Sequence, residues 1–333
     1  MMAFSVMTWN VENFFLVDAG DDAAATEDAR RFEQKLGLLT ATIRELAPDV
    51  VAFQELGKDA LALLQQTLGA NLYPSMHEGQ PDRRGIRVGV LSKLPFVQPA
   101  KDLSQFTGPV PVDQVKVLEY SGALATTSQL GRGAVRVSVA VGPLQVHLIT
   151  CHLKSKLLTF PHGRFSTHDE VLRAQVAAMA LFRRAAEAVE VRMETTRLLT
   201  DHPQDGVIVL GDMNDGEEAA TSQLLLGPPG SQMNTGGFQR PDQGDAQRLF
   251  NTALLIPPAQ RFSRIEHGQP EMLDQILCSQ HLLPADQHGK RQLPEVKSYT
   301  ELVNGLASVS ADPKLRHKSI VPDHAPVVAR FAL

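Results

Sequence analysis

The run Gly206-Val207-Ile208-Val209-Leu210 delivers the chain into Gly211-Asp212-Met213-Asn214-Asp215. It is short, apolar and β-branched, so it reads as a buried strand, and the GD and ND pairs that follow are turn formers. A carboxylate and a carboxamide two residues apart, where a buried strand ends, can converge on one point while the chain turns away. Asp212 brings an anionic acceptor, and Asn214 brings a neutral group that both donates and accepts. The pair suits a site that holds an oxyanion and positions or activates a water.

The same pattern repeats along the chain. Phe4-Ser5-Val6-Met7-Thr8-Trp9 alternates and is rich in strand formers until Asn10-Val11-Glu12-Asn13 breaks it, which puts Asn10 at a strand end. Phe32, Leu36, Leu39, Ile43 and Leu46 recur at steps of four and three, one stripe on a helix with Glu27 and Asp28 at its positive end. Pro48-Asp49 stops that helix, and Val50-Val51-Ala52-Phe53 is a strand ending in Gln54-Glu55. Asp59 to Leu68 reads as a second helix closed by Gly69, and Ile86 to Leu91 as a strand behind the basic turn Arg83-Arg84-Gly85. Residues 99–131 show no sustained period and read as a long connection with room for one edge strand.

Ala134–Val141 and Leu144–Cys151 flank Gly142-Pro143 as a hairpin, with His152 at its exit. A basic loop, Lys154 to His168, leads to a long helix that opens with the form of a capping box, Thr167 as N-cap and Glu170 as its partner. Val171, Ala178, Leu181, Phe182, Ala185 and Val189 are its expected core stripe, fading before His202-Pro203. Residues 227–262 are a Gly-, Pro- and Gln-rich loop. Met272–Cys278 is a strand carrying Asp274, and residues 284–318 intervene before Asp323-His324 and a last strand, Val327–Phe331. No repeat or linker divides the chain, so one domain over 1–333 is expected, a mixed-sheet α/β layer structure.

Asn10, Glu55, His152, Asp212, Asn214, Asp274, Asp323 and His324 therefore all fall at the ends of apolar strands, which one shared cleft explains better than separate surface turns. Glu55 and Asp323 are hard oxygen ligands, suited to Mg²⁺ or Mn²⁺. No Cys or His cluster has structural-zinc spacing. Two histidines, each with a carboxylate to orient it, fit general acid–base work near neutral pH, and asparagines with a cation would stabilise charge on a pentavalent phosphorus.

In order, Trp9-Asn10, Gln54-Glu55, Thr150-Cys151-His152-Leu153-Lys154, Gly211-Asp212-Met213-Asn214, Leu273-Asp274-Gln275-Ile276-Leu277 and Asp323-His324-Ala325-Pro326-Val327 resemble the signature blocks of the endonuclease/exonuclease/phosphatase superfamily. That group includes pancreatic-type deoxyribonuclease, AP endonucleases, neutral sphingomyelinases and inositol-polyphosphate 5-phosphatases. The resemblance spans residues 4 to 331. It implies a four-layered α/β sandwich, two packed mixed β-sheets flanked by helices, with the site at one edge. It also implies that Glu55 ligates a catalytic Mg²⁺ (or Mn²⁺) with Asn10 and Asp323 close by. Asp212 would orient or deprotonate the attacking water, and Asn214 would hold a non-bridging phosphate oxygen. His324, oriented by Asp274, would contact the scissile phosphate, and His152 would stabilise or protonate the leaving oxygen. Which histidine is the acid stays open.

A histidine at position 152, where the AP-endonuclease branch usually has tyrosine, tilts the chain toward the deoxyribonuclease, sphingomyelinase and phosphatase branches. Two departures stand out. The usual R-x-D-Y is replaced by Met272-Leu273-Asp274-Gln275, which removes the aromatic support beside Asp274. The stretch between Asp274 and Asp323 is long for the family, so residues 284–318 are either a lid or substrate-selecting loop or a plain solvent loop.

Net charge is −5, which argues against a non-specific nucleic-acid coat protein and leaves room for a local basic patch. Lys154, Lys156, Arg164 and Arg173 follow His152 and are the expected phosphate contacts, with Arg83, Arg84 and Arg87 as a second cluster. Aromatic residues make up only 5% of the chain, so no base-stacking platform is evident. The leading expectation is a metal-dependent phosphodiesterase acting as a nuclease on DNA or RNA. Behind it stands a phosphatase or phosphodiesterase for a small molecule or lipid headgroup, and then a non-catalytic binding protein of the same fold. Cys151 and Cys278 sit in apolar runs as small buried hydrophobes. With no signal peptide at the start and no transmembrane run, a cytoplasmic protein without an obligate protein partner is expected, secreted if a leader was removed.

Overall fold

The computed structural model describes residues 2–16, 23–108, 115–304, 306 and 320–333. The first half contains β1 (Ala3–Phe14), α1 (Ala23–Leu46), β2 (Val50–Leu56), α2 (Ala60–Leu68), β3 (Ser75–Glu78), β4 (Arg87–Ser92), β5 (Lys101–Gln105), β6 (Val115–Leu118), β7 (Leu124–Thr127), β8 (Gln129–Val141) and β9 (Leu144–His152). The second half contains α3 (Glu170–Asp201), β10 (Gly206–Asp212), α4 (Ala220–Leu226), β11 (Leu249–Asn251), β12 (Arg264–Glu266), β13 (Gln269–Glu271), β14 (Asp274–Ser279), β15 (Glu295–Ser298) and β16 (Val327–Ala332).

Two six-stranded sheets form, ordered β15-β16-β1-β2-β4-β3 and β11-β14-β10-β9-β8-β5. Each is mixed, with β1–β2 and β9–β10 as the parallel pairs at its centre. Because side chains alternate along a strand, each central strand feeds two cores. Val6, Val50 and Val90 of the first sheet meet Val137, Leu148 and Ile208 of the second in the middle of the sandwich. Their sequence neighbours Met7, Val51 and Leu91 point the other way, under Leu39 and Ile43 of α1 and Leu61 and Leu64 of α2. Ile149, Val207 and Val209 likewise pack under Ala188, Val191 and Leu198 of α3 and Leu225 of α4. The result is a four-layered α/β sandwich. Each such fully buried aliphatic side chain contributes roughly 1.5–3 kcal/mol.

Several expectations need correction. The strand opened by Phe4 does not end at Asn10. It continues to Phe14 through a register shift, with Glu12 and Asn13 at positive φ (48° and 49°). Helix α1 starts at Ala23, a turn early, so Glu27 and Asp28 lie beyond its first turn. Helix α3 starts at Glu170 with Asp169 as N-cap, its carboxylate accepting from Leu172 N at 3.0 Å, rather than with Thr167 as cap. Its expected core stripe faces solvent, with Val171 69% and Phe182 45% exposed. The face that meets the sheet is instead lined by Arg184, Glu187, Glu190 and Glu194, whose side chains bind Lys154 O, Gly131 N, Thr107 N and Lys101 Nζ. These hydrogen bonds to incoming loops lie beside the apolar contacts of Ala188, Val191 and Leu198, so both hold the inner face.

The three long connections also carry structure. Residues 99–131 supply edge strand β5 and the β6–β7 hairpin, residues 227–262 supply β11, and residues 284–318 supply β15, which extends the first sheet beside β16. Residues 109–114, 305 and 307–319 lie outside the described residues.

Candidate active site

Strand register brings the polar strand ends together. Asp212 on β10 stands opposite His152 on parallel β9 and opposite Asp274 on antiparallel β14. In the other sheet, Asn10 on β1 pairs with Gln54 on β2, next to Glu55. The backbone is turned sharply at these ends: Glu55 and Asn214 hold positive φ (65° and 52°), a conformation uncommon outside glycine that bends each side chain into one cleft. Gly211 cannot be replaced there. A Cβ at its φ of 147° would lie 1.9 Å from Cys151 O, so only glycine lets β9 and β10 approach while Asp212 emerges.

The cleft, about 360 Å³, is lined by Asn10, Glu55, His152, Asp212, Asn214, Asp323 and His324 among others. Asn10 Nδ2 donates to Asp212 Oδ2 at 2.9 Å across the sandwich and lies 3.5 Å from Glu55 Oε1. The second Glu55 oxygen accepts from Asn13 N at 3.0 Å. Asp212 Oδ1 accepts from Asn214 N at 2.9 Å, and Asn214 Nδ2 donates to Leu153 O at 2.9 Å. Two imidazoles flank the Asp212 carboxylate, His152 Nε2 at 3.3 Å and His324 Nε2 at 3.9 Å. Behind His324, Nδ1 meets Asp274 Oδ2 at 2.6 Å. Ser263 Oγ in turn accepts from Asp274 N at 3.0 Å, and Trp9 Nε1 donates to His324 O at 2.9 Å.

Electrostatics divide the roles. Burial pushes Asp212 up, but His324 and His152 outweigh it and hold the carboxyl well below the usual carboxylate range. Glu55 is half-buried, and against that desolvation Arg132, His152 and His324 bring it down to about 2. Burial opposes charge on His324, and Asp274, Asp212 and Asp323 overcome it, raising the ring to about 10. His152 goes the other way, lowered by burial and by Arg132. At neutral pH Asp212 and Glu55 are thus ionised, His324 is charged and His152 is neutral.

A family model described as the endonuclease/exonuclease/phosphatase family matches residues 7–295. The chain belongs to that family. Its members are hydrolases acting on phosphoester bonds. A search of curated protein sequences returned no match. Among solved structures, truncated TDP2 from Caenorhabditis elegans is similar over 99% of this chain and 98% of its own, at 15% identity and TM-score 0.57. D. rerio TDP2 complexed with a single-strand DNA product matches over 99% of both chains (15%, 0.51). Sphingomyelinase C from Streptomyces griseocarneus matches over 100% of both (15%, 0.53). At these identities the likeness is one of fold.

Family members typically use a divalent metal, and the donor chemistry here fits one. Glu55, Asp212 and Asp323 offer hard carboxylate oxygens, while Asn10 turns its Nδ2 toward Asp212 and Glu55 and its Oδ1 accepts from Glu12 N at 3.0 Å. Both cysteines are buried and free, with thiols pushed well up by burial, and neither is in the lining of the cleft. Among the described residues the tightest acid–histidine cluster is Asp212, Asp274 and His324, with ligand atoms within 4.8 Å of one another. Charged His324 is bonded to Asp274, however, and a protonated imidazole has no lone pair for a cation. Glu55 with Asp212 is the better cation face. Asp323 is shared: its Oδ2 takes Arg264 NH2 at 3.1 Å, so Arg264 pairs with Asp323 and not with Asp274.

The four expected phosphate contacts part company. Lys156 lines the cleft. Lys154 does not: its Nζ donates to Ser155 O at 2.8 Å and Leu157 O at 2.9 Å, fastening its own loop, and burial lowers it to about 7. Arg164 donates to Pro161 O, and Arg173 pairs with Glu170 at 2.5 Å, both outside the lining. From the second expected basic cluster Arg84 reaches the lining, and two further cations there, Arg132 and Arg264, were not among the expected phosphate contacts. Arg132 contacts His152 Nε2 and lies 3.9 Å from Glu55 Oε1. Its signal was the Gly131-Arg132-Gly133 sequence at the start of a strand otherwise apolar on one face.

Gln275 explains the missing aromatic beside Asp274. Fully buried, it donates from Nε2 to Asp215 O at 2.8 Å and Met272 O at 3.2 Å, while Oε1 accepts from Asn251 Nδ2 at 2.8 Å. An amide clamp therefore ties the Asp212–Asp215 turn to the strand that carries Asp274.

Proposed function

We propose that this chain is a divalent-metal-dependent phosphodiesterase, acting as one domain, that cleaves DNA or RNA. The observation that carries this reading is Asp212, bonded to Asn10 from the opposite sheet and flanked by His152 and by the His324–Asp274 pair. In this reading water adds to phosphorus as the P–O ester bond breaks. Asp212, held ionised and a weak base, orients the water and takes up its proton as the bond forms. Asn214 and charged His324 hold the non-bridging oxygens. The leaving oxygen is stabilised or protonated from His152 or His324. When bound, a Mg²⁺ or Mn²⁺ held by Glu55 with Asn10 and Asp323 would neutralise charge on the phosphate.

Arg84, Arg132, Lys156 and Arg264 in the lining support a phosphate-bearing substrate, as does the fold shared with TDP2, whose D. rerio form is complexed with single-strand DNA product. Among the described residues the lining contains no Phe, Tyr or Trp, so recognition would run through the backbone rather than through stacked bases. A second reading, a small or lipid-headgroup phosphodiester, is favoured by Glu266 and Glu271 in the same lining and by the fold shared with sphingomyelinase C.

A turnover panel with Mg²⁺ or Mn²⁺ and EDTA controls tests the choice, using plasmid DNA, single-stranded RNA, a bis-aryl phosphodiester and an aryl phosphomonoester. EDTA-sensitive cleavage of DNA or RNA supports the nuclease reading. Diester turnover with both polymers untouched moves the chain to the second reading, and no turnover anywhere rejects both.

A further inference from the structure

The hairpin β12–β13 forms one wall of the cleft, contributing Arg264, Glu266, His267 and Glu271. Its acids are paired with the cations that a polyanion would need. Glu271 Oε1 lies 2.5 Å from Lys156 Nζ, reaching from the hairpin to the loop after β9. Glu266 Oε2 lies 3.0 Å from Arg264 NH2. Outside the hairpin, Asp82 stands 3.5 Å from the Nε of Arg84, another lining residue. The cleft that fits a phosphodiester thus has its cations matched by acids belonging to the protein.

We infer that Glu271 is a selectivity residue: it occupies Lys156 and so limits the cleft to one phosphodiester at a time, weakening its hold on the neighbouring phosphates of a polymer. The inference rests on the phosphodiesterase reading for its meaning and on the ion pair for its physics. Lys156 is 45% exposed and Glu271 26%, so water and salt screen the pair, and a phosphate can displace the carboxylate at small cost. Binding a polymer then needs Lys156 to exchange partners, whereas a small diester bound at Asp212 leaves the pair intact. Electrostatics of this kind set specificity and salt dependence more than the rate of the chemical step.

The test is binding of a fluorescein-labelled single-stranded oligonucleotide, followed by anisotropy at several salt concentrations in the inactive Asp212→Ala background. Glu271→Gln is expected to bind about two- to fivefold tighter, the worth of an exposed ion pair. Its slope of log affinity against log salt should steepen by about 0.7, one additional phosphate contact on a single strand. Adding Lys156→Gln should cancel both changes. Unchanged affinity and slope in Glu271→Gln would overturn the inference, as would a gain that survives Lys156→Gln. The readout needs no turnover. If the otherwise unaltered enzyme cleaves no nucleic acid in the panel above, the nuclease reading fails while anisotropy still decides the role of Glu271.

Discussion

His324 Nδ1 lies 2.6 Å from Asp274 Oδ2, and neither side chain is more than 5% exposed. A charged imidazole is costly to bury unless a carboxylate faces it, and here Asp274 stands behind the ring with Asp212 in front. The pair accounts for a histidine raised to about 10 in a buried cleft.

Asp274→Asn removes the main source of that shift. It should lower kcat by about a hundredfold or more, the usual worth of a positioned acid or base. In the unaltered protein turnover should fall as pH rises through about 10, where His324 loses its proton. In Asp274→Asn that alkaline limb should move toward neutral pH. The stability contribution follows the same sign: complete below the ordinary histidine value near 6.5, and lost as pH rises through about 10. A pH–rate profile of both proteins checks this, and an unmoved limb would detach His324 from it.

Gln275→Leu keeps the bulk and deletes the clamp, leaving Asp215 O and Asn251 Nδ2 without their partner. The loss of buried hydrogen bonds should destabilise by about 1–3 kcal/mol. Turnover should fall through kcat, with KM little changed, because the clamp positions Asp212 against Asp274. Thermal unfolding and steady-state kinetics on the same preparation separate the two effects.

Far from the cleft, Glu194 on α3 should govern acid stability. Burial pushes this carboxyl up, but Arg197 and Lys101 bring it down to about 2. Its contribution is present above the ordinary glutamate value and is lost as pH falls through about 2. Glu194→Gln should therefore cost up to about 3 kcal/mol at pH 7 and flatten the loss of stability in acid. Denaturant titrations from pH 7 to pH 3 would show it.

Arg164→Ala and Arg173→Ala should leave kcat and KM for a small phosphodiester within about twofold, since exposed pairs carry little energy. Lys154→Met should act through stability instead, because its ammonium holds loop carbonyls. A marked KM effect from either arginine would return it to the substrate path.

How much of this was legible in the sequence depends on the kind of signal. Strand positions were legible: alternation and β-branched runs placed Asn10, Glu55, His152, Asp212 and Asp274 on strands whose register then brings them together, while His324 comes in from the segment just before the last strand. Helix α1 was legible because its stripe meets an apolar sheet face. The face of helix α3 was not, since buried Arg184, Glu187, Glu190 and Glu194 are interleaved with Ala188, Val191 and Leu198 on its inner side, and apolar periodicity does not register such a mixed face. Lys154 and Lys156 look alike in sequence, and only the loop path turns one back on its own carbonyls and the other into the cleft. Arg132 and Arg264 escaped because each cation's carboxylate partner comes from a distant part of the chain.

The central claim is that the cluster around Asp212 hydrolyses a phosphodiester. Its most direct test is turnover of a bis-aryl phosphodiester by the unaltered protein and by Asp212→Ala, each with Mg²⁺ and with EDTA, after circular dichroism shows both folded. The account predicts turnover only in the unaltered protein with Mg²⁺. Near-equal rates in the two proteins, or a rate indifferent to EDTA, would contradict it.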